Sequence, residues 1–270
     1  MKTRSIVHAA RARLVRGTTL AGLTLLAGLA GGCAPTARWD YLAMGVFARE
    51  EEGISSIPSQ YAALLERDQA AQVTIHNQER MEPREIAENL RSDQQLRQLV
   101  QDAEVIVLDF SLEWINVPEG LFRGGMCGGA DNQDCLRRGV QDAQDTWNSI
   151  ADELTALRAR EPVLLRVIVM GDYWLNWSWG PPTAGGQSPE ETEKAQVLSG
   201  YYRQLTDFLE ADAMRRGIPV VRAFPEPYFF ESDPPDEYFG GIGGVHFSDE
   251  GSAVLAQLLR AIGYEPVVLE

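Results

Sequence analysis

The chain is 270 residues long, 44% hydrophobic and 23% charged, with a formal net charge of −15. So acidic a body excludes nucleic acid and anionic lipid headgroups as electrostatic partners. No metal-ligand cluster and no phosphate-cradling glycine loop occurs, so neither a metal nor a cofactor is expected.

Residues 1–32 read as a processing segment. Lys2, Arg4, Arg11, Arg13 and Arg16 form a basic leader without acids, and Thr18 to Ala30 is an apolar run too short to span a bilayer. The run ends in Leu29-Ala30-Gly31-Gly32-Cys33, and small residues directly before a Cys resemble the lipobox of bacterial lipoproteins. Leu29 lies one position further from the Cys than that pattern places it. The resemblance implies lipidation of Cys33, and acyl chains contribute about 0.8 kcal/mol per buried CH₂, which summed over several chains gives stable anchoring. The expectation is a lipid anchor on the extracytoplasmic side of a cell membrane, followed by a short tether over 33–38. An ordinary secretory signal with a coincidental Cys is the alternative. Without the five leader cations, 19 Lys+Arg face 39 Asp+Glu, so the mature chain carries about −20.

Residues 39–270 contain no repeat or linker-like stretch and fit one α/β domain. Short apolar runs predict strands at Tyr41–Met44, Val73–Ile75, Val105–Phe110, Val163–Met170 and Pro219–Ala223. Helical periodicity fills the gaps at Tyr61–Glu66, Ile86–Val100, Leu136–Arg160, Glu190–Arg215 and Ser252–Ile262. Ser188-Pro189-Glu190-Glu191 is a strong helix start, and Ser248 caps the last helix with Asp249 and Glu250 in its first turn. Strands alternating with helices imply a five-stranded parallel sheet covered on both faces, a three-layer α/β/α, flavodoxin-like architecture. Cys127 and Cys135 bracket a polar loop with no His nearby, and in an oxidising compartment they read as a disulfide rather than a metal pair.

In such a sheet, ligands bind beyond the carboxyl ends of the strands. The residues there are Gly45-Val46-Phe47, then Asn77-Gln78-Glu79, then Ser111-Leu112-Glu113-Trp114, then the long run from Gly171, and finally Gly243-Gly244-Val245-His246. His246 stands just ahead of a helix, a good station for acid–base work. Asp109, inside the third apolar run, needs a partner that the sequence does not name.

This layout resembles the SGNH, or GDSL, hydrolase family of esterases and lipases across nearly the whole mature chain. Tyr41–Gly45 looks like the family's first strand and glycine, Asp102–Leu108 like the approach to its third block, and Asp236–Pro266 like its last block with a Gly-x-His. The resemblance implies the fold and an active site after these strands, and it identifies His246 as the retained catalytic residue. The other positions depart. Phe47 stands where the family places its nucleophilic Ser, and Gly243 stands where an Asp would orient the His. Glu113 stands in the place of the Asn that donates to the oxyanion; a carboxylate there accepts rather than donates. No Gly lies in Asn77–Glu82 to match the second-block glycine. Losing the Ser of such a unit costs about six orders of magnitude in kcat. Ser55 or Ser56 is the candidate for a displaced nucleophile, and Ser111 lies nearer the right sheet edge.

Three functional readings follow. In the first, a catalytically degenerate SGNH-like lipoprotein binds a glycan or another ligand. Trp114, Tyr173, Trp174, Trp177 and Trp179 then form a stacking surface, Asp172, Asn176 and Glu113 supply hydrogen bonds, and Glu113 pairs with His246. In the second, the chain is a working ester hydrolase acting on an ester-bearing ligand through a displaced nucleophile. In the third, the same aromatic face binds a protein partner in a structural or assembly role.

Overall fold

A computed structural model describes residues 37–45, 56–79, 81–110, 116–158, 160–170, 189–223, 239–240 and 246–269. Cys33, Phe47, Glu113, Trp114, Asp172, Tyr173, Trp174, Asn176, Trp177, Trp179 and Gly243 lie outside the described residues. The chain from Thr36 to Glu270 forms one compact unit.

Its centre is a five-stranded, all-parallel sheet in the order β2-β1-β3-β4-β5. The strands are β1 (Ala37–Gly45), β2 (Ala71–Glu79), β3 (Val105–Phe110), β4 (Leu164–Met170) and β5 (Val220–Ala223). All six residues of β3 are buried, as expected of a strand covered on both faces. β1 and β2 extend beyond the apolar runs that announce them, because Ala37–Asp40 pair with Ala71–Thr74 through backbone bonds that need no apolar side chain.

Among the described residues, two helices cover one face. They are α1 (Ile57–Gln69) and the last helix, α7 (Asp249–Ala261). Tyr41 and Ala43 of β1 and Val105 and Val107 of β3 pack there against Tyr61, Leu65, Leu255 and Leu259. The opposite face takes α2 (Pro83–Ser92), α3 (Gln94–Asp102), α5 (Asp134–Arg158) and α6 (Pro189–Arg215), with Leu42, Met44, Ile106 and Leu108 meeting Ile86, Leu90, Trp147 and Leu198. A short helix, α4 (Asn116–Arg123), precedes the disulfide loop. Among the described residues, no helix is long and apolar enough to cross a membrane.

The periodicity over Ile86–Val100 predicts one helix, but the structure makes two. Asp93 adopts an extended backbone, and its carboxylate accepts from the Gln95 and Leu96 N–H groups at 2.8 and 3.3 Å. A short acid that satisfies the orphan donors of a new helix start competes with helix continuation, and here the cap wins.

Buried polar groups tie the layers together. Arg158, at the end of α5, donates to the carbonyls of Val100, Gln101, Ala103 and Pro162 at 3.0, 2.6, 3.0 and 3.0 Å. Trp147 donates its indole N–H to Asp212 at 2.6 Å, joining α5 to α6. Cys127 and Cys135 form the expected disulfide, with Cα atoms 4.8 Å apart. Asn132 stiffens the bridged loop by accepting from the Cys127 N–H and donating to the Phe122 carbonyl, both at 2.8 Å.

Candidate functional site at the carboxyl edge of the sheet

The strand order reverses direction at β1: the chain goes from β1 outward to β2, then crosses back to β3 on the other side. The crevice beyond the carboxyl ends of β1 and β3 is therefore the switch point, where open α/β sheets hold ligands. Gly45 ends β1 there with φ +125°, a conformation that favours glycine. A Cβ on Gly45 would stand 2.8 Å from the Asp109 Cβ, so the two strands meet too closely for any side chain.

Both helices of the α1 face run toward this crevice with their N-termini. The amino-edge end is marked by Val163, which bridges Val267, and by Arg166, whose Nη2 donates to the Gly263 and Glu265 carbonyls at 2.7 and 3.3 Å. The segment following α7 is thus held at the amino edge. At the same end Asp68, late in α1, accepts from the Tyr264 hydroxyl at 2.8 Å and from Arg260 Nε at 2.5 Å. With their C-termini clasped at the amino edge, α1 and α7 present their N-caps, Ser56 and Ser248, at the carboxyl edge. Helix N-termini carry partial positive charge, which suits anionic or hydrogen-bond-accepting groups.

His246 lies two residues before the Ser248 cap. Its backbone belongs to a short antiparallel ribbon, β6 (Phe239–Gly240) with β7 (His246–Phe247), in which His246 faces Gly240 and Phe247 faces Phe239. Phe247 is buried in the α1–α7 core and so anchors the ribbon beside the crevice. His76 sits elsewhere, on edge strand β2, with its Nε2 3.1 Å from an Asp40 carboxylate oxygen.

A narrow, almost wholly apolar crevice, with room for about one water molecule, lies between the sheet and the start of α1. Ala43, Val107 and Ile168 form its sheet wall, and Ile57 and Pro58 form its helix wall. Asp109, only 4% exposed, lines it toward the carboxyl edge, and Tyr41, wholly buried, lines it toward the middle of the sheet. Burial, and secondarily the neighbouring Tyr61, hold the Tyr41 phenol well above its ordinary pKa. Tyr41 therefore remains a neutral donor.

Ser56 is buried as well, and its hydroxyl is occupied on both sides. It accepts from the Ser59 N–H at 3.3 Å and donates to the Ser59 hydroxyl at 3.1 Å. An oxygen committed to capping a helix is poorly placed to attack a substrate.

The five-stranded parallel sheet with helices on both faces is shared with known proteins. The chain resembles the solved structure of a lipase from a goat rumen metagenome at TM-score 0.57 and 16% identity, over 85% of this chain and 99% of that one. The fold is that of an SGNH hydrolase. This SGNH-fold domain is also similar to an acetyl-xylooligosaccharide esterase from Geobacillus, at TM-score 0.48 and 13% identity, over 85% of this chain and 95% of that one. An extracellular lipase from Streptomyces rimosus gives TM-score 0.48 and 12% identity, over 84% of this chain and 99% of that one. No family model and no curated protein matches the sequence.

Of the residues that the sequence singles out for the SGNH-fold site, the described structure places Gly45 and the backbone of His246 at the carboxyl edge. Asp109, whose partner the sequence does not name, lines the crevice under α1. Tyr41 was missed as a site residue: a tyrosine in an apolar strand carries no signal that separates a pocket lining from ordinary core.

Proposed function

We propose that this chain is a catalytically degenerate SGNH-fold lipoprotein, anchored through Cys33 outside a cell membrane, that binds a glycan in the former active-site cleft. One observation carries the reading. Gly45 closes β1 against Asp109 with a positive φ, which is consistent with a strand-one glycine and supports the alignment of Gly45-Val46-Phe47 with the family's Gly-Asp-Ser turn. On that alignment the nucleophile position carries a phenyl ring. The engagement of the Ser56 hydroxyl in the α1 cap supports the same conclusion, since Ser56 is a candidate substitute.

The sequence of the cleft argues for carbohydrate. Tyr173, Trp174, Trp177 and Trp179 occur within seven residues after β4, together with Asp172 and Asn176. Flat aromatic faces beside amide and carboxylate groups suit sugar rings, whose C–H faces stack while their hydroxyls hydrogen-bond. Glu113 and His246 complete the polar lining in this reading, with Trp114 beside them.

The test is an ester-hydrolysis assay of the purified full chain with short-chain p-nitrophenyl esters, alongside His246→Ala, and a tryptophan-fluorescence titration with cell-wall oligosaccharides. The expected result is no turnover that depends on His246, and a saturable fluorescence change with sugar. Turnover abolished by His246→Ala would overturn the degenerate reading in favour of an ester hydrolase with a displaced nucleophile. A fluorescence response to no sugar would overturn the glycan reading and leave the aromatic face to a protein partner.

A further inference from the structure

The two ends of the sheet differ in what they expose. Five large apolar residues are exposed among the described residues, and three of them stand at the amino edge: Met214 at 79%, Val268 at 48% and Ile262 at 38%. Their placement follows from the topology. α6 ends at Arg215, shortly before β5 begins at Val220, so Met214 lies at the edge where the strands start. Ile262 follows the last turn of α7, and Val268 follows Val267, which bridges Val163 just ahead of β4. The other two, Leu121 and Met126, lie between β3 and the start of α5, toward the opposite edge. Large apolar side chains from separate elements, exposed at one end of an acidic body, mark that end for an apolar surface.

The chain itself brings such a surface there. β1 starts at Ala37, at the tip of the amino edge, because Ala37–Asp40 run past the start of β3. Only Ala34, Pro35 and Thr36 separate Ala37 from Cys33. Four residue steps span at most about 14 Å, so a lipid on Cys33 would hold the bilayer within that reach of the amino edge. The crevice lies at the other end, since Gly45 closes β1 eight residues later, about 26 Å along the strand.

We propose that the amino edge is a bilayer-facing surface, seated by Met214, Ile262 and Val268, so that the crevice at the carboxyl edge opens away from the membrane and takes its ligand from the extracytoplasmic space rather than from the lipid; this rests on the Cys33 anchor in the reading above. The seat is apolar. A chain with a net charge of −15 is not drawn to anionic headgroups, and the Arg67 and Arg260 guanidiniums at this edge are already paired with Asp68. Contact through apolar side chains needs no headgroup charge and withstands salt.

Energy transfer on vesicles tests this. The full chain, purified from membranes, is reconstituted in phosphatidylcholine vesicles that carry an acceptor lipid. A donor is attached at Gln69→Cys, exposed at the end of α1 beside the amino edge, or at Glu85→Cys, exposed in the first turn of α2 beyond the carboxyl end of β2. The donor at position 85 is expected to stand about 25 Å further from the bilayer than the donor at position 69, at low and at high salt. Met214→Ser, Ile262→Ser and Val268→Ser together, all at exposed positions, should shrink that difference while the chain stays on the vesicles through its lipid. Equal transfer from the two positions, stronger transfer from position 85, or a difference indifferent to the triple substitution overturns the proposal and leaves the anchor standing. A full chain that does not float with the vesicles, or a Cys33→Ser variant that still does, overturns the anchor reading and this inference with it.

Discussion

Gly45 and Asp109 are packed so closely across the β1–β3 pair that a Cβ on Gly45 would stand 2.7 Å from the Asp109 carbonyl oxygen. The contact lies where the strand order reverses, so one glycine sets how near β1 can come to β3 at the mouth of the crevice. Gly45→Ala adds both the collision and the strain of an L side chain at φ +125°. The expected loss is about 3 kcal/mol, combining backbone strain with overpacking. The urea midpoint of the variant against the parent measures it, and a shift under about 0.5 kcal/mol would show that the strands part easily.

The clasp between α1 and α7 should be pH-sensitive. Asp68 accepts from Arg67, then from Tyr264 and Arg260, and these bonds hold its carboxyl well below the usual carboxylate range. A carboxylate depressed in the folded state contributes stability above its unfolded pKa of about 3.9, and that contribution fades as pH falls below this value. Asp68→Asn should therefore lower Tm at pH 7 and converge on the parent in strong acid. Tyr264 acts at the other end of the scale, pushed up to about 12 first by burial and then by Asp68. Its contribution is complete below about pH 10 and disappears as pH rises through the folded value. Thermal melts of parent and Asp68→Asn from pH 2 to 11 cover the acid window and the onset of the alkaline one; a constant difference across the acid range would refute the assignment.

Arg158 is worth more as a hydrogen-bond hub than as a charge. It holds three carbonyls at or just beyond the end of α3 and one from the turn before β4. Arg158→Met keeps the stem but strands these acceptors, and the expected cost is about 3 kcal/mol. Hydrogen exchange should show the effect concentrated at the end of α3, and uniform loss of protection across the sheet would argue against a local role.

The Cys127–Cys135 bridge closes a short loop ahead of α5. Loop-closure arithmetic gives about 2–3 kcal/mol for a loop of this size. Replacing both cysteines with serine should lower stability by that amount, and adding reductant to the parent should reproduce it. A double variant as stable as the parent would mean that the Asn132 bonds to Cys127 and Phe122 hold the loop unaided.

How far the sequence reaches is clearest element by element. β3 is legible because six consecutive apolar or buried positions admit few readings, and α5 and α6 because their periodicity runs over many turns. Asp93 was not legible as a break, since helix periodicity continues through it and only its own carboxylate, turned back to Gln95 and Leu96, ends one helix and starts the next. The β6–β7 ribbon is too short for any periodic signal, and its pairing joins residues that lie in separate stretches of loop.

The site divides in the same way. By itself the sequence determined which chemical groups are available: a phenyl ring at position 47, a carboxylate at 113, an imidazole at 246 and a dense aromatic run after the fourth strand. It also determined the order of strands and helices, because hydrophobic period is a local property. Only the tertiary structure decided that Tyr41 and Asp109 line one pocket. They stand on different strands, 68 positions apart, and both face α1 because β1 and β3 pair in parallel with Tyr41 opposite Val105. That register comes from backbone hydrogen bonding and from burial of two faces at once. No single stretch of chain encodes such a balance.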